Sequence, residues 1–245
     1  MHRKPMPQHD ADSPTFDAYA GDYDEALARG VSVTGETKDY FAAGRAARTA
    51  RACEALGHSV RRVLDYGCGV GSAVPHLNAA FPALTHLHGL DVSSACLEVA
   101  RRSFVSPEAS ASGVAVTFGL PDSVDQAGFD LVFTNGTFHH IPPADRLAAA
   151  ESMRRALAPG GVCAFWENNP WNPGTRLVMH RIPFDRDAIP LPPPEAVRLL
   201  RRAGFRVHSQ VFCFFFPNFL RAFRPLEPAL ERVALGGQYL VIARA

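Results

Sequence analysis

The sequence has few cysteines, and none of them forms a closely spaced pair. The cysteines are odd in number and scattered along the chain (Cys53, Cys68, Cys96, Cys163 and Cys213). Thiolate zinc sites and disulfide frameworks both depend on short or regular cysteine spacings. The pattern therefore excludes a disulfide-stapled domain and a cysteine zinc site, and it is typical of reduced thiols in a cytoplasmic protein.

An excess of charge of either sign is also missing. The formal net charge is +1, and lysine is nearly absent, with only Lys4 and Lys38. Proteins that bind nucleic acid carry a basic surface that neutralises phosphates. Because no dense run of basic residues interleaved with aromatic residues is present, we expect no nucleic-acid partner.

The sequence lacks long apolar segments. Residues 1–13 are polar and contain proline, without the apolar centre of a signal peptide. No run approaches the roughly 20 apolar residues of a membrane-spanning helix, and the apolar stretch 211–216 has only the length of a strand before Pro217. We therefore expect a cytoplasmic protein without a membrane partner.

The composition and the order of the predicted elements favour one α/β domain with additions. Apolar residues make up 47% of the 245 residues, which is ample for a large core. Strand and helix signals alternate, as is typical of a largely parallel sheet covered on both faces. The predicted strands cover residues 59–66, 86–90, 114–118, 129–134, 162–167, 205–216 and 238–243, and the predicted helices cover 72–81, 93–104, 143–157 and 194–203.

A glycine-rich turn preceded by an acidic residue is the most informative motif. Residues 63–71 read Val-Leu-Asp-Tyr-Gly-Cys-Gly-Val-Gly and lie between a predicted strand and a predicted helix. In a nicotinamide-binding turn the pyrophosphate binds backbone amides at a helix N-terminus, where a carboxylate repels it. Asp65 therefore favours a nucleoside ligand that carries a positive charge and an amine in place of the pyrophosphate.

A second carboxylate follows at a distance that suits a ribose. Asp91 comes 26 residues after Asp65, directly after the apolar segment 86–90. A carboxylate at the end of a second strand can accept hydrogen bonds from both ribose hydroxyls. Either feature alone is more often a simple turn or a helix cap, but together, in this order, they predict a nucleoside site.

Two further stretches complete a resemblance to a known family. Phe129-Asp130-Leu131-Val132-Phe133 is followed by Phe138-His139-His140-Ile141, and Leu157-Ala158-Pro159-Gly160-Gly161 precedes the fifth predicted strand. With the glycine turn and Asp91, the sequence resembles the class I S-adenosylmethionine-dependent methyltransferases over residues 60–245. The resemblance implies a three-layer, Rossmann-like fold with a seven-stranded sheet of order 3-2-1-4-5-7-6, its last strand antiparallel, and S-adenosyl-L-methionine as the cofactor.

The resemblance also implies a set of cofactor residues. The glycine turn would line the methionine part, the backbone of residues 134–136 would receive the amine, Asp91 would hold the ribose and Val92 would flank the adenine. In many relatives a Gly-Asp-Ala sequence follows the third strand, but Gly-Leu-Pro-Asp stands at residues 119–122 here, without the acid in its usual place. The residues concerned are Asp65, Gly67, Cys68, Gly69, Asp91, Val92, Gly119, Leu120, Thr134, Asn135 and Gly136.

Residues 1–58 are predicted to form N-terminal lid helices, since similar enzymes fold such helices over the cofactor. Tyr19 would then touch the cofactor, and Tyr23 and Tyr40 the substrate; alternatively, these aromatic side chains only anchor the helices to the core. Arg45 or Arg48, one turn beyond Tyr40, is a candidate for a bidentate contact with the cofactor carboxylate.

The acceptor side is predicted to follow the fifth strand. Residues 166–173 are rich in aromatic and amide groups, so that a planar substrate could stack on Trp166 or Trp171 while Asn168 binds its polar edge. The alternative is a rigid Asn-Pro loop whose amides cap their own backbone. Insertions over the same region are expected near residues 168–193 and 217–236 of a domain that spans 59–245.

Catalysis requires mainly that nucleophile, methyl carbon and sulfur lie in line. His139 follows the fourth strand, and because histidine side chains ordinarily titrate near neutral pH, it is the first candidate for a general base and for a substrate contact. Glu167 is the second candidate base. A purely structural role is the alternative for His139 and the expected role of His140. No metal is expected, because the two adjacent histidine side chains are expected to diverge and no acid of ligand spacing accompanies them.

The sequence thus predicts a methyltransferase that acts at nitrogen or oxygen of a small molecule, such as an aromatic or heterocyclic biosynthetic intermediate, and that is a monomer or homodimer. Three alternatives stay open: carbon methylation of a quinone-type precursor, methylation of a protein side chain, and a non-catalytic module that binds the cofactor. A dehydrogenase is a more distant alternative.

Overall fold

The fold is built on a seven-stranded sheet whose strands lie in the order β3-β2-β1-β4-β5-β7-β6. It is seen in a computed structural model that describes residues 16–105, 113–121 and 128–245. The strands are β1 (Arg62–Tyr66), β2 (His86–Leu90), β3 (Ala115–Gly119), β4 (Phe129–Asn135), β5 (Leu157–Asn168), β6 (Arg206–Cys213) and β7 (Gln238–Arg244).

Helices connect the strands and cover both faces of the sheet. They are α1 (Tyr23–Val31), α2 (Lys38–Ala55), α3 (Val74–Ala80), α4 (Ser94–Phe104), α5 (Arg146–Ala156), α6 (Pro173–Arg181), α7 (Pro193–Arg202) and α8 (Glu227–Leu230). Short 3₁₀ segments cover Phe16–Tyr19, Ser32–Thr34, Pro183–Asp185 and Asn218–Leu226. None of the helices in the described part of the chain is long and apolar enough to cross a membrane.

The strand directions confirm the predicted sheet. Strands β1 to β5 pair in parallel, whereas β7 is antiparallel to both β5 and β6. Since β1 pairs with β2 on one side and with β4 on the other, the strand order reverses beside β1. In open α/β sheets the ligand binds outside the carboxyl ends of the strands at this point.

Alternating side chains of each strand enter two separate cores. On β1, Leu64 packs with α5 and α7 on one face, while Val63 packs with α2 and α3 on the other. On β4, Val132 and Leu131 divide between the same two clusters. Because both faces of β1 and β4 are apolar, these two central strands are buried along most of their length.

The ends of several elements differ from those expected. The strand predicted at residues 205–216 ends at Cys213, because Phe214 has a φ of 62° and leaves the extended conformation. Strand β5 begins earlier than expected, since Leu157 already pairs with Phe129 before the turn. The insertion expected near residues 168–193 contains α6 and the 3₁₀ segment Pro183–Asp185. The insertion expected near residues 217–236 contains the 3₁₀ segment Asn218–Leu226 and α8. The domain boundary at residue 58 stays a prediction, and residues 1–15 of the predicted lid lie outside the described residues.

Candidate active site at the carboxyl edge

The glycine turn, residues 67–71, lies at the carboxyl end of β1 and is held by the end of β2. The backbone amides of Gly67 and Cys68 donate to the Leu90 carbonyl oxygen at 2.7 and 3.0 Å. Gly67 has a φ of 77°, and a side chain there would overlap with Thr137, which follows β4. Only glycine therefore lets the two loops approach each other this closely.

Asp91 joins the end of β2 to the glycine turn. Its Oδ2 accepts a hydrogen bond from the Gly69 amide at 2.8 Å, and its Oδ1 accepts one from the Ser93 amide at 2.9 Å. Burial raises the pKa of this carboxyl, while these amides and that of Val92 oppose the shift. Each oxygen keeps a lone pair, so the carboxylate can still bind hydroxyls.

Asp65 is a buried carboxylate with an unpaired oxygen. It is 2% exposed, and its Oδ2 has no hydrogen-bond partner among the described residues. Burial and the neighbouring Asp91 charge raise its pKa to about 7, against the opposing effect of Arg45. Arg45 donates to Gln238 Oε1 at 3.1 Å, and burial lowers its pKa to about 10 although Tyr23 and Asp65 oppose this.

The other expected cofactor residues surround the same edge. Thr134 is buried, and the Gly136 amide donates to the Trp166 carbonyl at 3.0 Å. The Gly119 carbonyl accepts from the Asp91 amide at 3.3 Å. Val92 and Leu120 are 54% and 44% exposed and offer apolar surface beside Asp91. Residue 122 of the expected adenine region lies outside the described residues. These roles stay predictions.

An aromatic roof, formed by Phe16, Tyr19, Tyr23 and Phe184, covers this edge. The Tyr23 ring stacks on Phe184 with centroids 4.7 Å apart and 4° between planes. Phe16 and Tyr19 lie 6.0 and 5.8 Å from Phe184. The Tyr23 phenol stands over Gly69, and burial, with the Asp185 and Asp91 charges, raises its pKa. The roof thus spans from the glycine turn to the insertion after β5.

Polar contacts hold the N-terminal segments in place. Asp17 Oδ1 accepts from Ser93 Oγ at 2.5 Å and from the Ala95 amide at 3.3 Å, at the start of α4. Asp24 accepts from Ser72 Oγ at 3.1 Å and pairs with Lys38 Nζ at 2.6 Å. The Phe16–Tyr19 segment and α1 are therefore attached to both sides of the glycine turn.

A His–carboxylate cluster, formed by His139, His140, Glu167 and Asp185, lies next to the roof. Glu167 accepts from the Phe138 amide at 2.7 Å, and its Oε2 lies 2.6 Å from His139 Nδ1. The Nε2 atoms of His139 and His140 lie 3.5 and 3.1 Å from the same oxygen, Asp185 Oδ1. The expectation that the two histidines diverge is wrong, because the 3₁₀ segment Pro183–Asp185 brings one carboxylate to both rings.

The charges in this cluster depend on one another. Burial lowers the pKa of His139, but the Glu167 charge and the Asp185 contact outweigh it and raise the pKa to about 10. Burial and the His139 charge lower the pKa of His140. Burial raises the pKa of Asp185, but the two imidazoles outweigh this and lower it to about 2. His139 thus holds its proton at neutral pH, which a general base must not do.

The prediction that Trp166 stacks on substrate is wrong. Its side chain is completely buried in the core, and its indole N–H donates to Thr49 Oγ1 at 3.0 Å. Trp166 lies within β5, which continues to Asn168, and its side chain points into the packed face. Trp166 therefore joins α2 to the sheet.

The loop after β5 has the structure of the alternative, a rigid Asn-Pro loop. Asn169 is completely buried and donates to the carbonyls of Ala234 and Gly236 at 3.1 and 2.8 Å, while its Oδ1 accepts from the Trp171 amide at 3.1 Å. Asn172 caps α6 through the Thr175 amide.

Asn168 and Trp171, the two residues of this segment predicted to contact substrate, contact other side chains of the protein. Asn168 Oδ1 accepts from Gln238 Nε2 at 3.0 Å. Trp171 is 48% exposed, and its ring lies 6.4 Å from that of Phe212 on β6. No aromatic contact joins Trp171 to the aromatic roof within the described residues, so its substrate contact stays a prediction without support from the geometry.

Tyr40 and Arg48, two residues of the predicted lid that were expected to contact ligand, contact the segment 218–231 instead. Tyr40 packs against Phe41 and Phe214 and lies under the Arg224 guanidinium, 4.5 Å from the ring centroid. Arg48 donates to Glu227 and Glu231, each at 3.0 Å. Both side chains are anchored to the segment 218–231, so the Arg48 alternative for the cofactor carboxylate is wrong, and Arg45 is the remaining candidate.

Comparison with known proteins shows which family the matched residues resemble. Residues 64–163, which carry the glycine turn, Asp91 and the residues after β4, match a family model described as a methyltransferase domain. Over these residues the chain is similar to S-adenosylmethionine-dependent methyltransferases. S-adenosyl-L-methionine is the cofactor that this similarity implies, and the unpaired Asp65 Oδ2 suits its ammonium group.

The similar proteins agree on the fold and differ in chemistry. The chain is 32% identical over 123 residues to the carboxy-S-adenosyl-L-methionine synthase of Alteromonas mediterranea, covering 48% of this chain and 49% of that protein. It is 33% identical over 152 residues to the trans-aconitate 2-methyltransferase of Methylobacterium nodulans, covering 62% and 52%. The chain thus spans about half the length of these curated relatives.

A solved structure shows the same fold over nearly the whole chain. It is a methyltransferase of Thermotoga maritima described as a possible histamine N-methyltransferase, with a TM-score of 0.60, 17% identity, and coverage of 95% of this chain and 98% of that one. At this identity the likeness supports the architecture alone.

Proposed function

We propose that this chain is an S-adenosylmethionine-dependent methyltransferase that transfers a methyl group to nitrogen or oxygen of a small aromatic or heterocyclic molecule. One observation carries the proposal. The aromatic roof contacts the glycine turn through Tyr23 and the His–carboxylate cluster through Phe16, whose ring lies 4.9 Å from His140. A flat, small acceptor held under this roof would face the cofactor on one side and polar groups on the other.

The chain supplies a matched set of groups for the cofactor. Asp65 offers an unpaired, buried oxygen to the ammonium group, and Asp91 offers the remaining lone pairs of its carboxylate to the ribose. Exposed apolar surface at Val92 and Leu120 suits the adenine. Bound there, the cofactor supplies a methyl group on a positively charged sulfur.

The groups on the acceptor side are suited to orienting the acceptor more than to removing a proton from it. His139 is locked between Glu167 and Asp185 and keeps its proton at neutral pH. We therefore propose that the acceptor presents a free lone pair or an anion, and that positioning supplies most of the acceleration. Glu167 orients His139 and stabilises its charge; neither residue has to accept a proton from the acceptor.

A test combines labelled cofactor with a panel of acceptors. The protein is incubated with S-adenosylmethionine labelled in the methyl group and with phenols, catechols, aromatic amines and imidazoles, and mass spectrometry measures S-adenosylhomocysteine and the methylated acceptor. Asp91→Ala should abolish product formation, whereas Glu98→Ala, an exposed substitution on α4, should not. Tight cofactor binding without any product would favour the non-catalytic alternative, and binding of a nicotinamide cofactor alone would overturn the proposal.

A second candidate is chemistry on the cofactor itself. It is favoured by the similarity to a protein named carboxy-S-adenosyl-L-methionine synthase. The same mass spectra discriminate between the two when a small carboxylic acid is added as carboxyl donor in place of the acceptor, because a cofactor that gains the mass of a carboxyl group from this donor indicates this activity.

A further inference from the structure

Three metal-binding atoms converge in the His–carboxylate cluster. His139, His140 and Asp185 each offer one such atom, and the three atoms lie within 4.8 Å of one another. The Nε2 atoms of His139 and His140 lie 3.5 and 3.1 Å from Asp185 Oδ1. Ligands about 2.0–2.1 Å from a tetrahedral zinc ion are about 3.4 Å apart, so these two separations suit an ion.

The His139 ring has the orientation of a metal ligand. Its Nδ1 lies 2.6 Å from Glu167 Oε2, whereas its Nε2 is buried and makes no hydrogen bond in the described residues. Histidine ligands of metals generally donate their other ring N–H to a carboxylate, which fixes the tautomer and directs the bare nitrogen at the metal. His139 is 3% exposed, so water does not satisfy that nitrogen.

The charges nearby also favour a cation. Glu167 and Asp185 are 1% and 7% exposed. Binding of an ion displaces the proton from His139 Nε2, and the two carboxylates then leave two buried negative charges, which a divalent ion would balance. Arg146, the positive side chain near Glu167, donates to the carbonyl oxygens of Ile141 and Ile189. Tyr23 and Asp91, which face the cluster from α1 and from the end of β2, add no positive charge.

We propose that His139, His140 and Asp185 bind one divalent transition-metal ion, such as Zn²⁺ or Fe²⁺, with Glu167 as the carboxylate that orients His139. Two imidazoles and one carboxylate favour such ions over Mg²⁺ and Ca²⁺, which prefer oxygen ligands. Three protein ligands leave a coordination position for water or an acceptor oxygen. The proposal goes beyond methyl transfer and does not depend on it.

The alternative is that the three side chains only attach residues 183–185 to the end of β4. Metal titration separates the two. The full chain is treated with a chelator, dialysed and titrated with Co²⁺, followed by visible absorption, and with Zn²⁺, followed by calorimetry. We expect one ion per chain with the absorption bands of low-coordinate Co²⁺, and no heat with Mg²⁺. Absence of stoichiometric Co²⁺ and Zn²⁺ binding would overturn the proposal.

Variants locate the ion. Asp185→Asn and His140→Gln should each weaken Zn²⁺ binding at least tenfold, whereas the exposed matched controls Asp187→Asn and His180→Gln should leave it unchanged. Unchanged affinity in both of the first two variants would overturn the site.

X-ray absorption on the Zn²⁺-loaded, unaltered protein gives a result that does not depend on folding of the variants. We expect imidazole nitrogen and oxygen around the zinc. Sulfur ligands, or no imidazole signal, would overturn the proposal.

Discussion

One carboxylate, Asp65, shows how a single residue combines a cost in stability with a binding function. It is 2% exposed, its Oδ2 has no partner in the described residues, and its pKa is raised to about 7. A buried polar atom without a partner destabilises the folded protein. The oxygen lies at the carboxyl end of β1, where the family implies that the cofactor binds, so a cationic ligand would remove the penalty.

We expect Asp65→Asn to stabilise the ligand-free protein more at pH 8 than at pH 4. The folded-state pKa of about 7 lies above the ordinary 3.8, so the contribution of this group to stability is complete below pH 3.8 and is lost as the pH rises through 7. The change approaches about 1.4 kcal/mol per pH unit between these values. Urea denaturation of both proteins from pH 4 to pH 8 measures the difference, and a difference that does not vary with pH would contradict the shift.

At this scale the sequence predicts which residues lie near a strand end better than it predicts whether their side chains are buried. The glycine turn and Asp91 are adjacent to strand ends, and the structure places them together. Trp166 lies near the end of β5, but whether its side chain faces the edge or the core depends on the packing of α2, through Thr49. Asp185 contacts His139 and His140, which are distant from it along the sequence. No local sequence pattern predicts this contact.

At the scale of elements, polar side chains attach the N-terminal segments 16–31, which belong to the predicted lid, to the rest of the protein. Asp17 binds the start of α4, Asp24 binds Ser72 beyond the glycine turn, and Tyr23 stacks on Phe184. The apolar side chains of these segments pack in two small clusters that are separate from the two cores of the sheet, so we expect the lid to open without unfolding the sheet.

Asp17→Ala should loosen this lid. It removes the hydrogen bonds to Ser93 Oγ and the Ala95 amide, a loss of about 1 kcal/mol, which corresponds to roughly fivefold faster amide exchange. Hydrogen exchange with mass spectrometry of peptides from residues 16–31 measures it. Asp22→Ala, an exposed carboxylate with no side-chain cap bond, is the control. Equal exchange in the two variants would mean that Asp17 does not hold the lid.

For the whole molecule, the candidate site joins parts that are distant along the chain. The lid, the ends of β1, β2 and β4, and the Pro183–Asp185 segment all reach one edge. A ligand that binds there binds only the folded protein, and it should therefore stabilise the entire domain.

S-adenosylmethionine at about 100 times its Kd should stabilise the fold by about 2.7 kcal/mol, which raises the Tm of a domain of this size by roughly 5–10 °C. Differential scanning fluorimetry measures the shift. Asp91→Ala should reduce it, and a nicotinamide dinucleotide should produce none. A larger shift with the dinucleotide would contradict the cofactor assignment.

The architecture could be predicted almost completely, including the strand order and the antiparallel β7, because alternating strands and helices and four ordered motifs are features of the chain itself. The arrangement of residues on the acceptor side could not be predicted from the sequence. It depends on how the insertion after β5 folds back, and Asn169 and Asn172 of its Asn-Pro loop form hydrogen bonds with backbone groups of Gly236 and Thr175.

Strand β7 follows β6 along the chain, yet it lies between β5 and β6 and pairs with both. During synthesis, β5 therefore emerges with an open edge, and β6 has no neighbour in the sheet until residues 238–244 are made. Open strand edges invite pairing with other chains. We expect the ribosome-bound chain to be most prone to aggregation in this interval, and closure of the sheet to be a late event that arrives with β7.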